Sequence, residues 1–187
     1  MPWFDATFGP RQGATYGLIP GIVTWPMCYG VHTHHPDGSE DVRAVMFLEE
    51  KGGSFAPGDQ TLELVTHEIA HTYVNPIVDQ RFGELSDAVA PAFKAEEEKM
   101  KSQAYTQPDI MTKESIVRAL VVVFLRDRGD KAHADKTVHE EEGRGFLWTD
   151  ALATALSDAR TKGGGKLTTD ALVATAKGVF AAWTPKP

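Results

Sequence analysis

Cysteine is all but missing from this chain of 187 residues: Cys28 is the only one, so no disulfide can form within it. With no base partner recognisable in the stretch WPMCYG, Cys28 reads as a buried small residue rather than a nucleophile. Clusters of lysine or arginine are lacking too, and the net charge is −7. That balance excludes nucleic acid and an anionic membrane as main partners. No apolar run approaches the roughly 18 residues that cross a bilayer, so no membrane span is expected. The opening MPWFDATFGP has neither a basic nor an apolar segment and does not read as a secretory signal. Its abrupt start also fits a boundary behind a removed leader or another domain. The compartment and the oligomeric state therefore stay open.

What is present suffices for a core. Hydrophobic residues make up 42% and charged residues 24%, near the globular average. The length fits one domain over 1–187, with a sheet and a key helix in 1–79 and a helical part in 80–187. Residues 1–58 are punctuated by Gly and Pro and read as loops and strands. Between two β-prone runs, PDGS predicts a hairpin with strands near 27–35 and 42–49. The second run, VRAVMFLE, is apolar enough to be covered on both faces. A loop over 52–59 should end in Asp59 as a helix N-cap. Leu62, Val65, Ile69 and Tyr73 then recur at helical spacing and predict a helix from Gln60 to about Val74. Asn75 precedes Pro76, and a residue before proline is pushed out of the α region, so the helix should stop there.

Further on, 86–109 reads as a partly solvated helix and a proline-containing turn, with EEEK facing water. Thr112 is expected to cap a helix over 113–130. From Ile116 to Leu125 that helix is apolar nearly all round, Arg118 excepted, which marks a position in the middle of the domain. The β-branched VVV keeps a strand as the alternative. The segment 129–145 reads as a polar excursion, and two helices should follow, near 146–161 and 168–183. The predicted class is α+β: a small N-terminal mixed sheet over the 60–74 helix, with a mostly helical C-terminal half.

The chemistry concentrates in LVTHEIAHTYVNP. His67 and His71 are one turn apart, so both imidazoles reach the same point, as two of the three protein ligands of a catalytic zinc do. Glu68 is rotated by about 100° from His67 and can stand beside a metal-bound water as general base. Metal-binding motifs of the form HExxHxxGxxH need Gly at 74 and a ligand at 77, but Val74 and Ile77 occupy those positions. The third ligand must come from elsewhere. Candidates are Asp79, Glu84, Asp87, Glu114, His133, His139 and Glu140 to Glu142. Glu114 is favoured, because it opens the apolar helix and gains from the helix dipole. Arg118 shares its face and needs an acidic partner, Glu114 itself or another nearby, since a buried lone charge is costly.

HEIAHTYVNP followed at a distance by KESIVRA resembles the bacterial, metallopeptidase-like domain-of-unknown-function family 4932. More broadly the chain looks like a gluzincin. The resemblance implies a zinc-dependent peptidase with ligands His67, His71 and Glu114, Glu68 as general base, and a peptide or protein as substrate. It also implies a mixed sheet ahead of the zinc helix whose edge strand binds extended substrate. The gap from His71 to Glu114 is longer than in thermolysin-like enzymes, and a helical insert over 80–110 is expected to fill it. For the oxyanion donor, His139 leads, with Tyr105 and Tyr73 behind it. Asn75 is read as capping helix carbonyls. His32 and His34 point the same way on a strand and His35 the other way; with no Cys or acid of fixed geometry nearby, the trio reads as a solvated hairpin. Two rival readings remain: a non-catalytic protein- or peptidoglycan-binding domain on this scaffold, and a zinc amidohydrolase. Glu68 favours catalysis, since a purely structural zinc site has no use for it.

Overall fold

The computed structural model describes residues 2–11, 13–21, 28–47 and 59–185. The loop expected over 52–58, the side chain of Asp59 and the outer ends of the two predicted hairpin strands lie outside the described residues. The architecture is α+β, with a three-stranded mixed sheet and a helical remainder.

The hairpin is present as β2 (Tyr29–His34) and β3 (Glu40–Phe47), paired antiparallel. Its turn closes as PDGS predicts: Gly38 takes the left-handed conformation at φ 83°, and the Asp37 carboxylate accepts from the Ser39 amide. β1 (Ala14–Gly21) joins β3 in parallel, giving the order β1-β3-β2. β3 is thus central, and its Val42, Ala44, Val45 and Met46 are buried, as the apolar run requires. Cys28, just before β2, is half-buried.

One expectation for the N-terminal region fails. Residues before the sheet include a helix, α1 (Pro2–Phe8). Its Phe4 and Phe8 stack on Tyr73 at 5.2 and 5.1 Å between ring centres.

The long helix α2 (Asp59–Ala95) packs against the sheet and carries the HExxH sequence. It does not stop at Asn75. Pro76 lacks the amide that would bond the Thr72 carbonyl one turn back, and Arg11 supplies that bond instead, its Nη2 donating to Thr72 O at 2.7 Å. The helix continues through Pro76 and Pro91 to Ala95, and α3 (Glu97–Ser102) follows.

α4 (Pro108–Asp127) is the predicted central helix, buried on all sides from Ser115 to Leu125, and no strand forms at VVV. It begins at Pro108 rather than behind Thr112, because proline at the first helical position is pre-set for the helix. Thr112 lies one turn inside, its hydroxyl donating to Pro108 O. Glu114 is therefore in the second turn.

The polar segment 129–145 is also helical, as α5 (Lys131–Gly143), capped by Asp130, which accepts from the His133 amide. α6 (Thr149–Lys162) and α7 (Thr169–Ala182) stand where expected, with Thr168 capping α7. Trp148, fully buried, ties them to α4: its indole N–H donates to Ser115 Oγ at 2.8 Å. No helix among the described residues is long and apolar enough to cross a membrane.

Gly30 of β2 sets how closely sheet and α2 approach. A Cβ there would sit 2.3 Å from the Glu68 carbonyl oxygen, so only glycine permits the contact. Gly30→Ala is expected to push β2 off α2 and to destabilise the protein by about 1–3 kcal/mol. The urea midpoint checks this; an unchanged midpoint would show that the contact does not constrain the fold.

Candidate metal centre

Two helices bring the donor groups together. One turn of α2 separates His67 from His71, and their Nε2 atoms lie 3.1 Å apart. From α4, Glu114 Oε1 stands 3.2 Å from His71 Nε2, and Oε2 stands 3.6 Å from His67 Nε2. Donors held in tetrahedral array at zinc bond lengths are separated by about 3.3–3.5 Å. The observed spacings bracket that value, so the three groups fit one small divalent ion. Glu114 Oε2 is buried and accepts no hydrogen bond, although Arg118 Nη2 is 3.1 Å away. A buried carboxylate oxygen in that condition keeps a lone pair for a cation.

The His71 imidazole is oriented from behind. Asn75 Oδ1 lies 3.0 Å from His71 Nδ1. A carbonyl oxygen only accepts, so that ring nitrogen carries the proton and Nε2 is left to bind. Asn75 is thus a partner of His71 rather than a cap for helix carbonyls. Its position four residues after His71 was the available signal, the same spacing that pairs the histidines.

Charge is apportioned unevenly over the three groups. Burial drives the His67 pKa down to about 3, and the positive charge of His71 acts in the same direction. For His71 burial also lowers the pKa, but its hydrogen bond to Glu114 and that carboxylate's charge outweigh it, and the net shift is upward. Burial alone would raise Glu114, yet the His71 hydrogen bond and the neighbouring cations bring it down to about 2. These shifts favour the proton on His71 over His67, beside an anionic Glu114.

Glu68 is buried, and the Gly30 amide donates to its carboxylate. Burial, reinforced by the Glu114 charge, raises its pKa to about 7. It stands beside a cavity of about 250 Å³ also lined by His67, Arg118, Glu141 and Arg144.

Arg118 is buried, with partners at both Nη atoms and none at Nε. It pairs with Glu114 four residues before it and with Glu141 of α5, and donates to the Tyr105 hydroxyl at 3.0 Å. Its guanidinium covers the Phe146 ring at 4.4 Å. Both partners foreseen for it are therefore present, Glu114 and a second acid.

The other candidates fall elsewhere. Asp79 pairs with Lys113 at 2.5 Å, and Glu84 with Arg81. His133 bonds Glu63 at 3.0 Å. Asp87 is exposed, Glu142 is half-buried, and Glu140 and Glu141 line the cavity. His139 is on the exposed side of α5 and does not line the cavity, so the structure does not bring it to the donor cluster. Tyr73 belongs to the α1 aromatic stack, where Arg11 lies 3.8 Å over its ring. Of the three side chains weighed as oxyanion donors, Tyr105 is the one in contact with the Glu114–Arg118 pair.

A family model described as a domain of unknown function (DUF4932) matches residues 21–162. The chain belongs to that family, whose matched region contains His67, Glu68, His71, Glu114 and Arg118. No curated protein and no solved structure matches it.

Arg118→Met would leave the buried Glu114 and Glu141 short of a counter-charge. A loss of about 3–5 kcal/mol is expected, read from denaturant unfolding of metal-free protein. Adding Glu141→Gln to that variant should recover part of the loss, and its failure to do so would disprove the pairing as the cause.

Proposed function

We propose that this domain is a zinc-dependent peptidase of gluzincin type, with His67, His71 and Glu114 as metal ligands and Glu68 as general base. The observation that carries the reading is the convergence of two imidazole nitrogens and the unbonded Glu114 Oε2 beside a carboxylate poised near neutrality.

A zinc ion bound there would supply an acidified water and a charge that polarises the scissile carbonyl. Glu68 would take the water's proton and hand it to the leaving amine, work suited to a carboxyl group with a pKa near the working pH. Arg118 holds Glu114 in place, and Asn75 fixes the His71 tautomer. Tyr105 is the proposed donor to the developing oxyanion, its hydroxyl already positioned by Arg118. β2 is an edge strand whose Gly30 amide reaches Glu68. An extended peptide laid along that edge by strand addition would pass close to the general base.

Glu68→Gln should retain zinc and fold normally while cleavage of a general peptide library falls by about 10²–10⁴-fold or more. His67→Ala should lose the zinc itself. Full cleavage by the Glu68→Gln protein would sink the assignment; zinc retained with no cleavage in either form would favour a non-catalytic binding domain.

The metal affinity should also depend on pH with a defined sign. His71 has a raised pKa and keeps a proton that an ion must displace. Below that pKa each unit of acidification should weaken zinc binding by about tenfold, and above it the dependence should flatten. Calorimetric titration across pH 6–8.5 in two buffers of different ionisation enthalpy reads both the slope and the proton released.

A further inference from the structure

The second cluster of metal-type donors among the described residues lies on the β2–β3 hairpin. We propose that His32, His34 and Glu40 form a further divalent-cation site, separate from the α2–α4 centre and independent of the peptidase reading.

The strand register builds it. His32 and His34 are two residues apart on β2 and share one face, their ring centres 4.2 Å apart. Glu40, on β3, lies directly opposite His34 in the antiparallel pairing and diagonal to His32. Its carboxylate spans both rings: Oε2 is 3.0 Å from His32 Nε2, and Oε1 is 3.2 Å from His34 Nδ1. All three donor atoms lie within 4.8 Å of one another. The acid of fixed geometry that the sequence did not reveal is therefore Glu40, brought to the histidines by the PDGS turn.

Surroundings favour a site rather than a solvated face. The side chains of His32 and Glu40 are only 17% and 22% exposed, whereas His34 is 68% exposed. That leaves a closed side and an open side, as a site that exchanges ions with solvent needs. Arg11 is the competing cation, with Nη1 3.5 Å from His32 Nε2 and 3.8 Å from Glu40 Oε2. Its shortest bond is to the Thr72 carbonyl at 2.7 Å, so it is anchored to α2 and does not need Glu40. The neighbouring charge should make this site weaker than the α2–α4 centre. Two imidazoles and one carboxylate suit Zn²⁺, Ni²⁺ or Cu²⁺ rather than Mg²⁺ or Ca²⁺, which prefer all-oxygen sites.

The test is zinc stoichiometry by equilibrium dialysis and elemental analysis, on the whole chain and on single-site variants, with circular dichroism to confirm folding. Glu40→Gln and His34→Ala should each remove one equivalent and leave the α2–α4 equivalent in place. His35→Ala, whose ring instead bonds Asp41 at 3.1 Å, should remove none. The His67→Ala/His71→Ala protein should keep the hairpin equivalent, with zinc affinity falling at least tenfold when Glu40→Gln is added. Since His34 is mostly exposed, His34→Ala gives a folded readout even if the α2 variants do not fold. Zinc uptake unchanged by both Glu40→Gln and His34→Ala overturns the hairpin site. Uptake lost with His34→Ala but not with His67→Ala would uphold it while overturning the α2–α4 assignment.

Discussion

A single buried carboxylate organises the molecule. Glu114 sits between two long helices, where a lone anion would be prohibitively costly. Its charge is answered from two directions, by the His71 imidazole on α2 and the Arg118 guanidinium on its own helix. Arg118 has a second Nη group beyond the one facing Glu114, and it pairs with Glu141 from α5. This chain of compensation links α2, α4 and α5 across their shared core. The same contacts let the protein tolerate Glu114 in the helix interface, and on the reading proposed above a bound cation would take over part of that compensation.

The sheet contributes position more than bulk. Gly30 brings β2 within backbone contact of α2 at Glu68, and its amide bonds the Glu68 carboxylate. Burial, with the Glu114 charge, raises Glu68 toward neutrality, and the Gly30 amide bond tempers that rise. A side chain at residue 30 would separate the two elements and return that carboxyl group to water.

Much of this was legible in the residues, and the failures have physical causes. The hairpin, the HExxH helix, the buried α4 and the two terminal helices each carry a local pattern that tertiary contacts reinforce. α5 has no apolar stripe; the residues it buries are Ala134, Thr137 and Glu141, and the latter two meet polar partners on α2 and α4. Helical periodicity of hydrophobicity cannot show such a face. At the site, the pairing of Glu114 with Arg118 followed from the cost of an unpaired buried charge. His139 was expected near the site because 129–145 read as a polar excursion rather than a helix. As a helix it has a fixed outer face, and His139 is on it. Glu40 was missed because its link to His32 and His34 depends on strand register, and the second strand was expected to begin only near 42.

The passage of α2 through Pro76 ties two distant positions together. Proline at 76 leaves the Thr72 carbonyl without its helical donor, and Arg11 fills that place. In evolutionary terms the pair should behave epistatically. A lineage that loses the arginine strands a carbonyl one residue past His71 unless it also replaces the proline, whereas one that first replaces the proline releases Arg11 to drift.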